Sequence, residues 1–459
     1  MSTRWLVIPS ETRHREFDAK LWLACVAAER GLEAVVGSRV AIHLAADGLP
    51  RAVWLAKDVF RSSLTMTRLL RALGHRLTAL DEEGLVWYSP ESYRTARVHA
   101  GVLRRVEELF AWGEANAENW RAARGWRGQP IHVTGNPRFD LLRPELRGIF
   151  ADDVRGIEER FGRGIVLVSS NFGSVNHFVR GSGVHQRSAA AAARAAACDA
   201  WGRFQARLGM HRRRLFEAFH RGLPALARAF PERAVVVRPH PSEDPATWHA
   251  AAAGLRNVEV VGEGPVAPWL LAAGTLVHNG CTTAIEAHLL GTPAVAYRPV
   301  RAEGLDLELP NGLSEQASDA DELIRHCESA LGRGRAPGSE VAARQSTLCA
   351  HHLAGGEGPF AAERIVERLA ALAALPVPDV SWGGRLRARI AVVGRRHYKL
   401  AHSESEGHKN SAAYGAHRFP PISREAVEER VARLRALTGR FAGVAVRTLA
   451  PDVFVVAQG

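Results

Sequence analysis

Short apolar runs alternate along the chain with longer stretches whose apolar positions recur at helical spacing, the pattern of βαβ units and parallel sheets. Residues 4–9 (RWLVIP) read as a first strand, 17–30 as a helix stopped by Gly31, and 33–36 as the next strand. A helix over 64–73 ends at Gly74, and a strand over 76–80 follows. Beyond it the pattern predicts a helix over 95–109 and strands over 110–112 and 131–134. A first domain, 1–145, closes after the GNPRFD run near Pro144. A second series of strands at 164–169, 234–238, 258–261, 275–278 and 294–298 makes a second domain, 155–335. The predicted class is therefore α/β, with two Rossmann-like, doubly wound domains.

Two stretches stand apart from this alternation. An Ala/Arg-rich insertion over 188–214 has high helix propensity and reads as a helical hairpin without chemistry. Past Gly332 lies an extension, 336–459, with helices over 359–375 and 424–437 and a polar, glycine-bearing loop over 402–417 between them. Within it, 383–400 (GGRLRARIAVVGRRHYKL) sets basic residues on either side of the apolar 390–393. That pattern has two readings, an interfacial element held on an anionic leaflet or an ordinary helix or loop with a solvated basic face.

The 459 residues are 46% hydrophobic and 24% charged, which fits globular domains and excludes wholesale disorder and collagen-like structure. No run approaches the roughly 18 apolar residues of a membrane span, and residues 1–10 carry no signal-cleavage pattern. A cytoplasmic protein is expected, with peripheral contact at the anionic inner membrane under the interfacial reading. The five cysteines, Cys25, Cys198, Cys281, Cys327 and Cys349, are odd in number and lack CxxC spacing, so neither a disulfide framework nor a structural metal is expected. The formal charge is +12, and only Lys20, Lys57, Lys399 and Lys409 are lysines, so the basic character is arginine. Such a surface attracts an anionic partner; a phosphorylated substrate or a membrane face is favoured over nucleic acid, because no zinc-finger spacing or RNP-type motif occurs.

The candidate chemistry lies where strands end. After 234–238 come Pro239, His240 and Pro241; two prolines hold the imidazole in place, where it can donate to a phosphate oxygen or simply terminate a strand. After 275–278 come Asn279, Gly280, Cys281, Thr282 and Thr283 and then a helix. Hydroxyls at a helix N-terminus after a glycine turn suit an anion, although a plain threonine N-cap has the same sequence. Glu286, one turn further on, can reach ribose hydroxyls or lie on an exposed face. In the first domain, SETRHREFD supplies Glu11 and Asp18 as possible carboxylate bases or nucleophiles, with Arg13 and Arg15 as clamps for an acidic substrate. Asp81, Glu82 and Glu83 before Gly84 crowd three like charges, which suits a general base or a solvated acidic turn. Asn171 and His177 in SSNFGSVNHF follow a strand and are candidate substrate contacts, or members of a satisfied polar turn.

Together, LVIPSETRHREFDAKLWLA, LDEEGLV, FAWGE, VTGNPRFDLLRPE, SSNFGSVNHF, RPHPSED and HNGCTTAIEAHLLGTPAVAYRP resemble the bacterial surface carbohydrate biosynthesis protein family over residues 4–375. That family resembles GT-B glycosyltransferases, and more distantly the bacterial sialyltransferases and capsule Kdo transferases. The resemblance implies two Rossmann-like domains facing a central cleft. It implies a base at Glu82, Glu83 or Asp81, a His240–Pro241 pair on the donor phosphate, and a Thr282–Thr283 hydroxyl pair on that phosphate. The implied activity is transfer of a sugar, a CMP-activated ulosonic acid of Kdo or sialic type, onto a glycan or lipid-linked acceptor. The donor is a nucleotide-sugar substrate, and neither a metal nor a cofactor is expected. The Asp306–Leu307–Glu308 triplet is only loosely a metal-binding DxD. A CDP-polyol or UDP-sugar transferase, a UDP-sugar 2-epimerase and a non-catalytic nucleotide- or glycan-binding assembly protein are the alternatives.

Overall fold

The computed structural model describes residues 2–179, 199–333, 339–404 and 410–459. Six strands come first: β1 (Trp5–Ser10), β2 (Glu33–Ser38), β3 (Val53–Ala56), β4 (Arg76–Leu80), β5 (Glu108–Ala111) and β6 (Ile131–Val133). The next six are β7 (Ile165–Ser169), β8 (Val235–Arg238), β9 (Val258–Val260), β10 (Ala273–His278), β11 (Ala294–Tyr297) and β12 (Glu315–Ala317). Two more, β13 (Val444–Ala450) and β14 (Val453–Gln458), end the chain.

The strands form two sheets in two compact units, one of residues 1–149 with 349–459 and one of residues 150–348. The first sheet runs β13-β14-β2-β1-β3-β4-β5-β6, and the second β12-β11-β10-β7-β8-β9. The second is parallel throughout. Its inner strands β7, β8 and β11 are buried along their length, as a sheet covered by helices on both faces requires, so they read as apolar runs such as IVLV and VVV. Phe172, Phe219, Leu223 and Trp248 fill one face of it.

In the first unit, β2-β1-β3-β4-β5-β6 is parallel and β14 adds antiparallel to β2. The chain beyond residue 349, expected as an extension, thus completes the first unit. The reason is an unpaired edge: β2 would otherwise present bare N–H and C=O groups, and β14 takes them up from Gly37 to Ala34. Helix Ala361–Ala374 is tied to the same unit by Asp140, whose carboxylate accepts from the N–H groups of Ala361 (2.8 Å) and Ala362 (2.9 Å) and from Trp22 Nε1 (3.0 Å).

Several predicted elements need correction. The helix expected over 95–109 is two short helices, Pro90–Arg97 and Ala100–Leu103, and its last residues belong to β5. The break falls at Val98, which is extended, and lets His99 N donate to Val59 O (2.9 Å). Strands β3 (VWLA) and β12 (EQA) are too short to show a period, and the terminal hairpin, of seven and six residues, lies in the stretch expected as an extension. The insertion over 188–214 falls partly outside the described residues; from Ala200 it is the start of a single helix, Ala200–Ala229. The polar loop over 402–417 contains a helix, Ala412–Arg418.

Phe454 lies in β14 between β13 and β2 and is fully buried. Phe454→Ala should lower unfolding free energy by about 3–5 kcal/mol, read by urea denaturation, because the cavity cannot collapse between two paired strands.

Candidate functional site

The parallel strands of each sheet reverse their order once, between β1 and β3 in the first unit and between β7 and β10 in the second. Open α/β sheets hold ligands outside the carboxyl ends of the strands at such points.

In the second unit, β7 ends in Ser169, Ser170 and Asn171, and β10 leads through Asn279 and Gly280 into helix Thr282–Leu290. Ser169 Oγ donates to Thr283 Oγ1 (3.3 Å), and Asn279 Nδ2 donates to Asn171 O (3.4 Å). Gly280 turns the chain at a φ of 80°, in the left-handed region that suits glycine. The helix start has no side-chain oxygen as a cap: the capping position is Cys281, whose buried sulfur is a weak acceptor. The N–H groups of Thr283 and Ala284 meet that sulfur, a weak partner, which leaves the Thr282 N–H and the positive dipole end of the helix to an anion. Two further acceptors near the turn, Asn279 Oδ1 and Asn311 Oδ1, are buried without a partner. Asn311 Oδ1 would lie 3.4 Å from a Cβ at Gly280. Asn311 and Leu307 also line a cavity of about 570 Å³ with Arg298, Asp306, Gln316 and Arg344.

His240 follows β8 at the same end of the sheet. Its Nδ1 accepts from Ser242 N (3.2 Å) and lies 2.7 Å from Ser242 Oγ, which places the ring proton on Nε2 as a donor. The loop is held by Glu243, which the sequence reading passed over. One buried oxygen of Glu243 accepts from Ser170 Oγ (2.8 Å), Phe172 N (2.8 Å) and His240 N (3.1 Å), and the other from Trp248 Nε1 (2.9 Å). Burial pushes the Glu243 carboxyl up, against the pull of those donors. The loop after β7 packs so closely on that after β8 that a Cβ at Gly173 would sit 1.9 Å from Ser242 Oγ. One carboxylate and one glycine thus join the strand ends that carry Asn171 and His240.

His278 was also missed. Gly280 N donates to its Nδ1 (2.9 Å), so Nε2 donates to Ser314 Oγ (2.8 Å), which donates to Pro310 O (2.9 Å). Burial pushes this imidazole down to about 3, so the relay stays neutral and intact. Glu286 is buried rather than on an exposed face. His177 turns back on its own loop, with Nδ1 accepting from Val179 N (3.0 Å) and the ring stacked on Phe178. Asp306 accepts from His211 (3.0 Å), Arg298 (2.6 Å) and Ala302 N (3.0 Å), which holds it down at about 2 and occupies its lone pairs.

In the first unit, Glu11 at the end of β1 is enclosed by Arg39 (2.7 Å), Arg418 (2.9 Å) and Lys57, which follows β3. Asp18 opens helix Asp18–Glu29 and pairs with Arg430 (2.8 Å). Arg13 donates to the carbonyls of Pro420 (3.2 Å) and Pro421 (2.6 Å), which fastens the C-terminal segment. The three carboxylates after β4 separate into different environments. Asp81 is fully buried, bound by Arg97 Nη2 (2.8 Å) and Nε (3.2 Å) and by the Tyr93 hydroxyl (3.0 Å). Glu82 is buried against Lys20, with Asn136 Nδ2 at 3.3 Å. Burial pushes its carboxyl up, but the Lys20 ammonium and the Arg138 guanidinium outweigh that and hold it down. Glu83 keeps a side chain 47% exposed, between Arg97 (2.7 Å) and Arg15 (3.3 Å). Lys20 and Lys57, two of only four lysines, are the residues that sequence reasoning left out here. Their rarity in an arginine-rich chain was the available signal.

No protein-family model matches the chain, and no curated protein matches it. Solved structures do. S. aureus MnaA, in a co-structure with UDP, superposes at a TM-score of 0.51 with 12% identity, over 83% of this chain and all of that one. A Listeria monocytogenes protein named as a UDP-N-acetylglucosamine 2-epimerase superposes at 0.50 with 13% identity, over 82% of this chain and 98% of that one. The fold is of the GT-B kind. At this identity the likeness is one of architecture alone.

Glu16, a neighbour of the GT-B first unit's acidic loop, supplies a pH test. It is buried, accepts from Glu11 N (2.7 Å) and Thr12 Oγ1 (3.2 Å), and is pushed up to about 7 by burial and by the Glu82 charge. Its protonated form is the one the fold favours. The stability it contributes is full below the ordinary carboxylate range and lost as pH rises through about 7. The melting temperature should therefore fall from pH ~5 to pH ~8 more steeply in the wild type than in Glu16→Gln, which keeps an acceptor for Glu11 N. Asp140, pushed up to about 6 by burial, contributes a slope of the same sign in both proteins.

Proposed function

We propose that this protein is a nucleotide-sugar enzyme of bacterial surface-glycan synthesis, with the donor phosphate at the start of helix Thr282–Leu290. The observation that carries this reading is the helix N-terminus without an oxygen cap at the order reversal of the second sheet, preceded by the left-handed Gly280. The N–H and hydroxyl of Thr282 and the Nε2–H of His240 are the donors that would meet phosphate oxygens, with the Thr283 hydroxyl beside them held by Ser169 and Cys281. Asn279 Oδ1 and Asn311 Oδ1 offer acceptors to the N–H or O–H groups of the nucleoside.

In the transfer reading, a sugar such as a CMP-activated ulosonic acid of Kdo or sialic type passes to a glycan or lipid-linked acceptor. Glu83 is the base we assign, being the exposed carboxylate of the three; Asp81 and Glu82 position it through Arg97 and the β4 end. It takes the acceptor hydroxyl proton as the new glycosidic bond forms, and the bond to the phosphate breaks as CMP leaves with its charge met by His240 and the helix. Glu11 and Asp18, neutralised by arginine and lysine, fit a retaining nucleophile less well, which favours inversion. Arg15 is the clamp for an acidic group on sugar or acceptor. Neither a metal nor a cofactor enters the scheme. The likeness to two proteins associated with UDP or UDP-N-acetylglucosamine supports a second reading, a UDP-sugar 2-epimerase on the same phosphate site.

The test is a thermal-shift panel with CMP, CDP, UDP and GDP on wild type and His240→Ala. A nucleotide at a hundred times its Kd adds about 2.7 kcal/mol of stability and raises the melting temperature by a few degrees. We expect CMP to stabilise the wild type and to lose that effect in a variant that keeps its circular dichroism. A response to UDP alone would transfer the assignment to the epimerase, and silence toward every nucleotide would overturn the proposal.

A further inference from the structure

The sequence left the basic stretch near residue 390 with two readings, and the structure describes it as one helix, Trp382–Ala401, of 20 residues. One face is core: Ala388 and Val392 pack among Leu70, Leu73 and Leu77 of the first unit. On that side a helical Val and Ala suffice, and Arg396 fastens the helix further by donating to Leu44 O (2.8 Å) and pairing with Asp47.

The opposite face has no reason to be apolar in a helix that merely caps a domain. Yet Trp382 is 79% exposed, Ile390 63% and Leu400 58%, with Leu386 also exposed. Residues 382, 386 and 390 follow at i, i+4 and i+8, and 400 returns over 382 after about five turns, so the four share one stripe. They are four of the ten large hydrophobic side chains that stand exposed among the described residues. Single exposed apolar residues need no explanation, but a stripe on one helix does.

Charge decides what covers it. Arg387 and Arg389 are exposed beside the stripe, and no ion pair joins them, Arg385 or Arg395 to a carboxylate among the described residues, whereas Arg396 on the packed side of the same helix is paired with Asp47. Arg385 is held below the usual guanidinium range by partial burial and by Arg51 and Arg389 close by. A like-charge cluster that forgoes acidic partners, set along an exposed aromatic and aliphatic stripe, matches an anionic lipid surface: apolar side chains enter the acyl boundary while guanidinium groups meet the headgroup phosphates.

We infer that helix Trp382–Ala401 docks this protein on an anionic bilayer, lying in the interface plane with Trp382, Leu386, Ile390 and Leu400 inserted and Arg387 and Arg389 on lipid phosphates. The inference is independent of the sugar chemistry and needs no nucleotide.

The experiment is co-sedimentation of the full-length protein with phosphatidylglycerol-containing vesicles and with pure phosphatidylcholine vesicles. Wild type should sediment with the anionic vesicles and lose most of that binding at high salt. Trp382→Ser with Ile390→Ser should lower partition at least about tenfold, and each of Arg387→Gln and Arg389→Gln about fivefold. All four positions are exposed, so the melting temperature should not move; a variant that does melt earlier is replaced by Leu400→Ser, read on the same vesicles. Binding that is absent, or equal on neutral vesicles, or unchanged in the variants overturns the proposal. So does a dimer in sedimentation velocity that Trp382→Ser dissociates while vesicles go unbound, since the stripe then belongs to a second copy of the chain.

Discussion

A carboxylate taken out of water has to be met by donors or cations, and the strand ends of both units are built around that requirement. In the second unit the acid is Glu243, whose two oxygens collect four donors from two loops and a tryptophan. Removing it would strand Ser170, Phe172, His240 and Trp248 at once. The loop that carries Asn171 and the loop that carries His240 therefore move as one body, and the ring of His240 is oriented by a residue outside its own motif.

The first unit meets the same constraint with full charges. Glu11, Asp81 and Glu82 each sit beside arginine or lysine, and the pairs link β1, β3 and β4 with helix Pro90–Arg97 and with the C-terminal segment through Arg418. Five carboxylates in one strand-end region, these three with Glu16 and Glu83, would repel one another strongly if unmatched. Matching them leaves Glu83 as the acid still open to solvent and leaves Glu16, beside Glu82, favouring its proton. Proton affinity here is a property of the cluster and not of any one residue.

At the other end of the charge scale, the helix start of the second unit where we propose the phosphate is defined by what is left unmatched. The helix starting at Thr282 has no oxygen cap, and two amide oxygens beside it lack donors. The His278 relay and the cramped Gly173 contact hold those groups in place, so the donors and acceptors are arranged before any ligand arrives, which lowers the entropy cost of binding.

Much of this was legible in the order of residues. Unbroken apolar runs such as IVLV declared buried parallel strands, Gly74 stopped its helix where expected, and HNGCTT announced a glycine turn into a helix. Local periodicity and turn chemistry carry that information, because they depend on neighbours a few residues away. What the tertiary structure decided depends on partners far along the chain. That Glu243 outranks the motif beside it, that Lys20 and Lys57 neutralise acids 62 and 46 positions distant, and that β14 closes an edge offered by β2 follow only from which backbones lie side by side. A sequence states which groups can be charged or apolar; burial, which sets the cost of leaving each one alone, is settled by the fold.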